Sequence, residues 1–510
     1  MKKTILFNLF CLIVLALPAQ QPSRMTEVFF KDPDIKISTP SISIKEDRFA
    51  SYPEVIDWLE SRARENKHIR LEYIGTSAGG YNIPLVHLSD GKGDGKMKIW
   101  MQGALHGNEP AGAEGLFMLI DYIAGSKEGA KYLEKLDITI LPIANVDGYL
   151  AMKRTSANGY DLNRDQTKFA DPVSKLIKKA MIACDPDLAF DFHEFQPTRK
   201  EYSGIGSNGG SVLYDVLFLP SGYLNVPEVL RNLSFNILQK EAEKVLDKNN
   251  YTHCFYFSAD NSGEQLVLSK GAQSPQSSST SYALSNAVSM LVEIRGIGIG
   301  KTSLKRRTHC AYLVAREFLN AAVTYEKEIR QGVDMAKAQT IAAEDPVIIT
   351  SKPAVKQYDV RFIDLKTNAI LTERIRTKDA LESSPVLVRE RPAGYLLERG
   401  CEAEVERLRL LGVNVVALPE EKTWEVECFK IREYTEAAKT WEKIRTVSVK
   451  TTPERVTKTF PAGSWYVDLA QENANYAVSV LEPESKNGFV SFRITETAPG
   501  DTLKIYRVIK

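Results

Sequence analysis

The sequence predicts an α/β protein with a mostly parallel or mixed sheet covered by helices on both faces, followed by a smaller strand-rich region. Short apolar runs alternate with helical periodicity to about residue 343, which is typical of strands joined through helical connections. After residue 346, Val, Tyr and Thr alternate frequently between turns, which predicts strands. At 510 residues the chain is also too long for one ordinary core, so we expect two domains.

The first twenty residues have the composition of a secretory signal peptide. Lys2 and Lys3 precede a mainly apolar run over residues 5–17, and Ala19 marks the expected cleavage site. A membrane anchor needs roughly eighteen or more apolar residues, which is longer than this run. We therefore expect export to the periplasm or the extracellular space. The expected organisation is a signal peptide at 1–20, an N-terminal arm at 21–46, a first domain at 47–343 and a second at 346–510.

Composition and charge describe a globular protein without a nucleic-acid partner. The apolar content of 43% and the charged content of 26% are ordinary for folded domains. The net charge is +1 and the sequence contains no basic stripe, which argues against nucleic acid or an anionic membrane as a partner. Five of the six cysteines follow the signal peptide. Their odd number and irregular spacing predict free thiols, with a single disulfide bridge as the alternative.

Hydrophobic periodicity places the elements of the first domain in order. Helices are predicted at residues 52–66, 110–124, 174–184, 226–247 and 311–342, and strands at 70–75, 82–88, 99–104, 137–144, 188–192 and 287–294. Two polar stretches, residues 199–225 and 274–281, are predicted to be loops, and the first is long enough to be functional. The second domain has one predicted strand-helix-strand unit at 394–418.

His106 and Glu109 lie in the turn between a predicted buried strand and a helix that begins at Pro110. Such turns, at the carboxyl ends of strands, are where open α/β sheets place ligands. An imidazole and a carboxylate three positions apart on this turn can bind one divalent metal ion. Because the motif alone also occurs by chance, a surface turn is the alternative interpretation.

His193 and Glu293 lie near the ends of two further predicted strands. With His193, the candidate metal site has three N and O ligands, the number that catalytic zinc sites commonly take from the protein. Glu293 follows an apolar run, where a carboxylate is costly unless it meets a metal, a cation or a substrate. A carboxylate beside a metal can act as a general base and acid. The alternative is a buried ion pair with Arg295.

Arg154, Asn163 and Arg164 belong to a polar loop between the predicted strands. Arginines in such loops are usually solvated. Near a metal site, however, a guanidinium group matches either a developing oxyanion or a carboxylate.

Together these residues resemble the zinc carboxypeptidase family of metallopeptidases, over roughly residues 52–319. The segment 145–149 is also close to the family's N-P-D-G-Y turn, with Val146 in place of proline. The resemblance implies a catalytic domain of that fold at 47–343, one Zn²⁺ per chain and a peptide substrate. It implies these roles: metal ligands His106, Glu109 and His193; general base Glu293; carbonyl-polarising Arg154; and binding of the substrate's terminal carboxylate by Asn163 and Arg164.

The pancreatic branch of that family has a tyrosine upstream of the catalytic glutamate that closes over the substrate. The nearest candidate is Tyr282, which lies at a shorter spacing from Glu293 than in that branch. Residues 346–510 look like the tail of larger bacterial secreted members, where they either pack against the catalytic domain or shape substrate access.

The sequence thus predicts an exported zinc metallopeptidase, and within that class a carboxypeptidase. A zinc-dependent deacylase or amidase acting on a small acylated amino acid or a cell-wall peptide is the first alternative, because such relatives share the ligands and the base. A non-catalytic peptide- or glycan-binding protein on the same fold is the second alternative, since fold alone does not fix function. Glu293 alongside all three ligands counts against the second.

Overall fold

A computed structural model describes residues 23–92, 95–260 and 265–509. The predicted signal peptide lies outside these residues. The α-helices of the described chain are α1 (Ser23–Phe29), α2 (Pro40–Ser43), α3 (Tyr52–Glu65), α4 (Pro110–Gly125), α5 (Lys127–Ala130), α6 (Val146–Ala151), α7 (Pro172–Cys184), α8 (Glu228–Leu233), α9 (Lys240–Lys248), α10 (Ser278–Leu284), α11 (Leu304–Thr324), α12 (Glu326–Ile341), α13 (Glu402–Leu410) and α14 (Ala474–Leu481).

The strands of the described chain are β1 (Ile69–Thr76), β2 (Asn82–Leu88), β3 (Met97–Gly103), β4 (Leu136–Leu141), β5 (Leu188–Phe195), β6 (Gly210–Val212), β7 (Val216–Leu219), β8 (His253–Phe255), β9 (Phe257–Asp260), β10 (Val267–Lys270), β11 (Val288–Arg295), β12 (Val347–Asp364), β13 (Ile370–Arg389), β14 (Gly394–Leu397), β15 (Val416–Ala417), β16 (Lys422–Glu436), β17 (Val447–Phe460), β18 (Trp465–Asp468) and β19 (Thr502–Val508).

The largest sheet has eight strands in the order β1-β2-β4-β3-β5-β11-β7-β8. Its centre is parallel, since β4, β3, β5 and β11 all run in one direction, whereas β2 and β7 pair antiparallel with this central group. Strand β5 is buried along its whole length, as expected for a parallel strand covered by helices on both faces. The predicted fold class is confirmed.

Most predicted elements of the first domain occur within a few residues of their expected bounds. Two predictions about helices were too simple. The helix expected at 311–342 is interrupted at Tyr325, between α11 and α12, and the helix expected at 226–247 contains a π-helical turn at Ser234–Gln239. The prediction of a loop at 274–281 is wrong from Ser278 onward, because α10 begins there. The hydroxyls of Ser278 and Ser281 are buried in this helix and have hydrogen-bond partners.

The region after residue 346, called the C-terminal region below, consists mainly of two long hairpins, β12–β13 and β16–β17. The first hairpin extends into the preceding region, because β12 pairs with β6 and β13 pairs with β10. The second belongs to a six-stranded sheet, β15-β18-β14-β19-β16-β17. Buried residues from both sides of residue 346 form one hydrophobic cluster. The architecture therefore changes at residue 346, while a domain boundary there stays a prediction.

The N-terminal arm packs against the first domain in its described part. Thr39 and the backbone N–H of Ser41 donate hydrogen bonds to the buried carboxylate of Glu114 in α4. The five cysteines after residue 20 are all free, as predicted. Across residues 23–92, 95–260 and 265–509, helices with the length and apolarity required for a bilayer span are absent.

Candidate active site

The turn after β3 is held in place by close backbone packing. A side chain at Gly107 would put its Cβ 1.9 Å from the carbonyl carbon of Gly148, so the turn accepts only glycine at this position. The Asn145 amide donates to the carbonyl of Leu105 at 3.5 Å and accepts from the N–H of Gly148 at 3.0 Å. These contacts fix the backbone on which His106 lies.

His106, Glu109 and His193 form a buried cluster whose ligand atoms all lie within 4.8 Å of one another. The two Nδ1 atoms are 3.0 Å apart, and each lies 2.8 Å from one carboxylate oxygen of Glu109. Two imidazole nitrogens and one carboxylate oxygen match the donor set of catalytic zinc sites. The three predicted ligands therefore come together in an arrangement that can bind a metal ion.

Two carboxylates orient the histidine rings from behind. Asp161 lies 3.0 Å from Nε2 of His106, and Asp191 lies 2.7 Å from Nε2 of His193. A carboxylate on the far nitrogen fixes both the tautomer and the angle of a metal-binding imidazole. Although burial raises the pKa of Asp161, His106 and then Arg154 hold it well below its usual range. Sequence reasoning gave neither acid a role, although Asp191 and His193 share one side of β5.

Glu293 lies beside His193 because β5 and β11 are parallel neighbours in matching register. Its Oε2 atom is buried without a hydrogen-bond partner in the described chain. Burial, followed by the charge of Glu109, raises the pKa of Glu293 above its usual range. The alternative ion pair with Arg295 is wrong, since that guanidinium donates to Val212 and Ser211 instead. Within the described residues, Glu293 is thus an unpaired carboxylate beside the cluster of His106, Glu109 and His193.

Arg154 lies beside His106 and Glu109 in the cluster. Its Nε donates to Asp161 at 2.9 Å, while Nη1 lies 3.1 Å from Nδ1 of His106 and 3.5 Å from Glu109. The side chain is 41% exposed. The guanidinium group is therefore held in position, yet it is accessible to a bound molecule.

Asn163 and Arg164 follow on the same loop, in a short 3-10 helix. The Asn163 amide oxygen accepts from the N–H of Ser278 at 2.8 Å, which fastens this loop to α10. Arg164 donates to the Asn163 carbonyl at 2.8 Å, and no carboxylate of the described residues lies within ion-pair distance of it. This leaves Arg164 free to bind an anion.

These side chains open into one cleft of about 880 Å³, within the range of roughly 300–1,000 Å³ typical of ligand pockets. Residues that line the cleft include His106, Arg154, Asn163, Arg164, Tyr256 and Glu293. Two stretches of the C-terminal region, residues 349–351 and 485–487, also line it. The C-terminal region therefore contributes to the wall of the cleft.

The substrate-binding role expected for Tyr282 requires correction. Tyr282 is fully buried and donates a hydrogen bond of 2.6 Å to Gln102, so its hydroxyl belongs to the core. Tyr256 lines the cleft instead, and burial, followed by the charge of Glu293, raises its pKa to about 12. Nothing in the aromatic stretch 255–257 separates a cleft-lining tyrosine from a core residue, so sequence reasoning missed it.

Comparison with known proteins gives matches to carboxypeptidases. The zinc carboxypeptidase family profile matches residues 55–307. Carboxypeptidase 2 of Trichophyton rubrum is 29% identical over 461 residues, covering 88% of this chain and 85% of that protein. Carboxypeptidase SOL1 of Arabidopsis thaliana is 33% identical over 108 residues, 20% of this chain and 22% of that protein. The solved carboxypeptidase A of Helicoverpa armigera has a TM-score of 0.43 and 18% identity, covering 60% of this chain and 81% of its own.

Proposed function

We propose that this chain, a metallocarboxypeptidase of the zinc carboxypeptidase family, hydrolyses the C-terminal peptide bond of a peptide. The proposed enzyme binds one Zn²⁺ per chain. The observation that carries the proposal is the buried cluster of His106, Glu109 and His193 beside the unpaired carboxylate of Glu293.

We propose that His106, Glu109 and His193 hold the zinc ion. When bound, zinc supplies a Lewis acid that activates water and polarises a carbonyl group. Asp161 and Asp191 orient the two imidazoles, whose Nδ1 atoms lie beside the Glu109 carboxylate and would be available as ligands.

Glu293 acts as the general base and acid in this proposal. Its carboxylate takes a proton from the attacking water and later gives a proton to the leaving amine. Arg154 lines the same cleft and donates to the oxyanion that forms on the scissile carbonyl. In the transition state, Glu293 therefore holds the proton in transfer, while Arg154 stabilises the negative charge on the carbonyl oxygen.

Asn163 and Arg164 bind the terminal carboxylate of the substrate. A guanidinium group without an acidic partner offers a paired donor set that matches a carboxylate. Tyr256 lines the same cleft and is our candidate for the tyrosine that closes over the substrate. Peptides with a free C-terminal carboxylate are therefore preferred over amidated ones.

Incubation of the purified protein with a peptide library, read by mass spectrometry, tests the proposal. The expected products are peptides shortened by one C-terminal residue, and they are lost on chelation and in Glu293→Gln. Matched C-terminally amidated peptides and acylated amino acids belong in the same experiment. Cleavage of the acylated amino acids without any peptide shortening would contradict the proposal and favour the deacylase alternative.

We also propose that the chain is exported, on the composition of residues 2–19 alone. Expression of the full chain with its own N-terminus, followed by mass measurement of the released protein, tests this. A mature N-terminus near residue 20 is expected, and retention of the intact chain inside the cell would contradict it.

A further inference from the structure

Residues 485–487 of the C-terminal region are fixed against the first domain. Asn487 donates to Ser274 Oγ at 2.9 Å, and its carbonyl accepts from Thr167 at 3.5 Å. Ser485 is held within its own region by a hydrogen bond to the Ser479 carbonyl at 2.6 Å. This stretch is therefore a built part of the cleft wall, and Lys486 lies between its two anchored neighbours.

The same wall adjoins the loop that carries Arg164. Asn487 contacts the stretch 274–278 at Ser274. In the same stretch, the N–H of Ser278 donates to the side-chain oxygen of Asn163. The carbonyl of Gln276, also in this stretch, accepts from the backbone N–H of Gln166 at 3.2 Å. Lys486 thus lies on the side of the cleft assigned to the last residue of the substrate.

Most of the charges around the cleft are already paired. Arg154 is paired with Asp161 at 2.9 Å, Arg199 with Glu201 at 3.1 Å, and Glu194 with Arg307 at 2.5 Å. The partners of Arg199 and Glu194 offset their charges, and the proposed reaction assigns Arg154 to the scissile carbonyl.

Lys486 and Arg164 are the cleft-lining cations that lack an ion-pair partner in the described chain. Lys486 is exposed to solvent in the cleft. The unpaired acid Glu293 lies at the metal cluster, where the proposed reaction uses it. A substrate's last residue therefore meets positive charge on this wall.

We propose that Lys486 binds an acidic side chain, so that the cleft favours peptides whose last residue is glutamate or aspartate. This inference rests on the proposed function, in which Arg164 binds the terminal carboxylate. Arg164 and Lys486 together then receive the two carboxylates of such a residue. A terminal lysine or arginine would instead be repelled by both cations.

The test compares four peptides that are identical except for a last residue of Glu, Gln, Leu or Lys. The ratio of kcat/KM for Glu over Gln is measured in the zinc-loaded wild type, in Lys486→Met and in Lys486→Glu. We expect this ratio to fall about three- to tenfold in Lys486→Met, the range for a charge-assisted contact that solvent partly screens. In Lys486→Glu the preference should turn towards Lys.

Lys450→Met is the matched control, because Lys450 is an exposed lysine of the same region and does not line the cleft. Its Glu-over-Gln ratio should equal that of the wild type. Added salt should lower the wild-type ratio, since it screens exposed charges. A ratio that stays within twofold of wild type in Lys486→Met would overturn the inference.

A binding measurement distinguishes failure of this inference from failure of the proposed function. Affinity of the Glu- and Gln-ending peptides for Glu293→Gln is measured by fluorescence anisotropy, which requires no turnover. Absence of peptide cleavage by the wild type would refute the proposed function. Glu293→Gln should bind the Glu-ending peptide more tightly than the Gln-ending one, and adding Lys486→Met to this variant should remove the difference. That result would support the inference even without cleavage, whereas equal binding of both peptides to Glu293→Gln would refute it.

Discussion

The two ends of the cleft are built in different ways. At the metal end, His193 and Glu293 come from adjacent parallel strands, and His106 and Glu109 come from the turn after a third. At the far end, Lys486 comes from a stretch about 190 residues after Glu293, held by hydrogen bonds to loops. The comparison indicates that the proposed chemistry depends on the sheet, whereas the proposed substrate preference depends on the part of the C-terminal region that lines the cleft.

The largest expected effect is at the metal end. Arg154→Met should lower kcat by about 100- to 1000-fold, because it removes a donor to the developing oxyanion. Zinc content should be unchanged, since the three ligands remain. Steady-state kinetics with metal analysis measures both quantities, and Arg199→Met supplies a control for removing an arginine from the same cleft. A loss of less than fivefold would show that Arg154 has a structural role only.

The next effect concerns the acids behind the ligands. Asp191→Asn should weaken zinc binding by about 10- to 100-fold, because the His193 ring loses the carboxylate that orients it. Competition with a chromogenic chelator measures the affinity, and circular dichroism checks that the fold is retained. Asp57→Asn, at an exposed acid of α3, is the control. Equal zinc affinity in Asp191→Asn and the wild type would remove Asp191 from the metal site.

The smallest expected effect is on stability and concerns the interface between the first domain and the C-terminal region. Lys178 is fully buried, donates to Ser281 and to Tyr476 of the C-terminal region, and lies 5.2 and 5.5 Å from the ring centroids of Tyr282 and Tyr476. Burial lowers its pKa to about 7. No carboxylate within ion-pair distance offsets this in the described residues.

The unfolded chain keeps this lysine protonated to a pH of about 10.4, whereas the folded chain releases the proton near pH 7. The unfolded state therefore binds more protons above that pH, and the free energy of unfolding should rise with pH. We expect a rise of roughly 1 kcal/mol per unit between about pH 7 and 9. Urea titrations should show this slope in the wild type and in Lys179→Met, the exposed neighbour, and should lose it in Lys178→Met.

Parts of the fold followed from local patterns. Apolar runs and helical periodicity predicted the strands and helices of the first domain, because burial imposes those periods directly. The same patterns could not show that helix 311–342 breaks at Tyr325 or that serine-rich α10 is buried. In α10, tertiary contacts outweigh the local signal, because Ser278 and Ser281 have buried hydrogen-bond partners.

The sequence by itself determined the chemical identity of the metal end. His106 and Glu109 are close in the chain, and His193 and Glu293 are polar residues at the ends of apolar strands, so their placement follows from strand order in a parallel sheet. Only the tertiary structure decided which tyrosine faces the cleft and that Lys486 reaches it. Those positions depend on contacts between distant segments, which leave no periodic signal in the sequence. The candidate reaction site could therefore be predicted from the sequence, while the residues that line the cleft beside it required the fold.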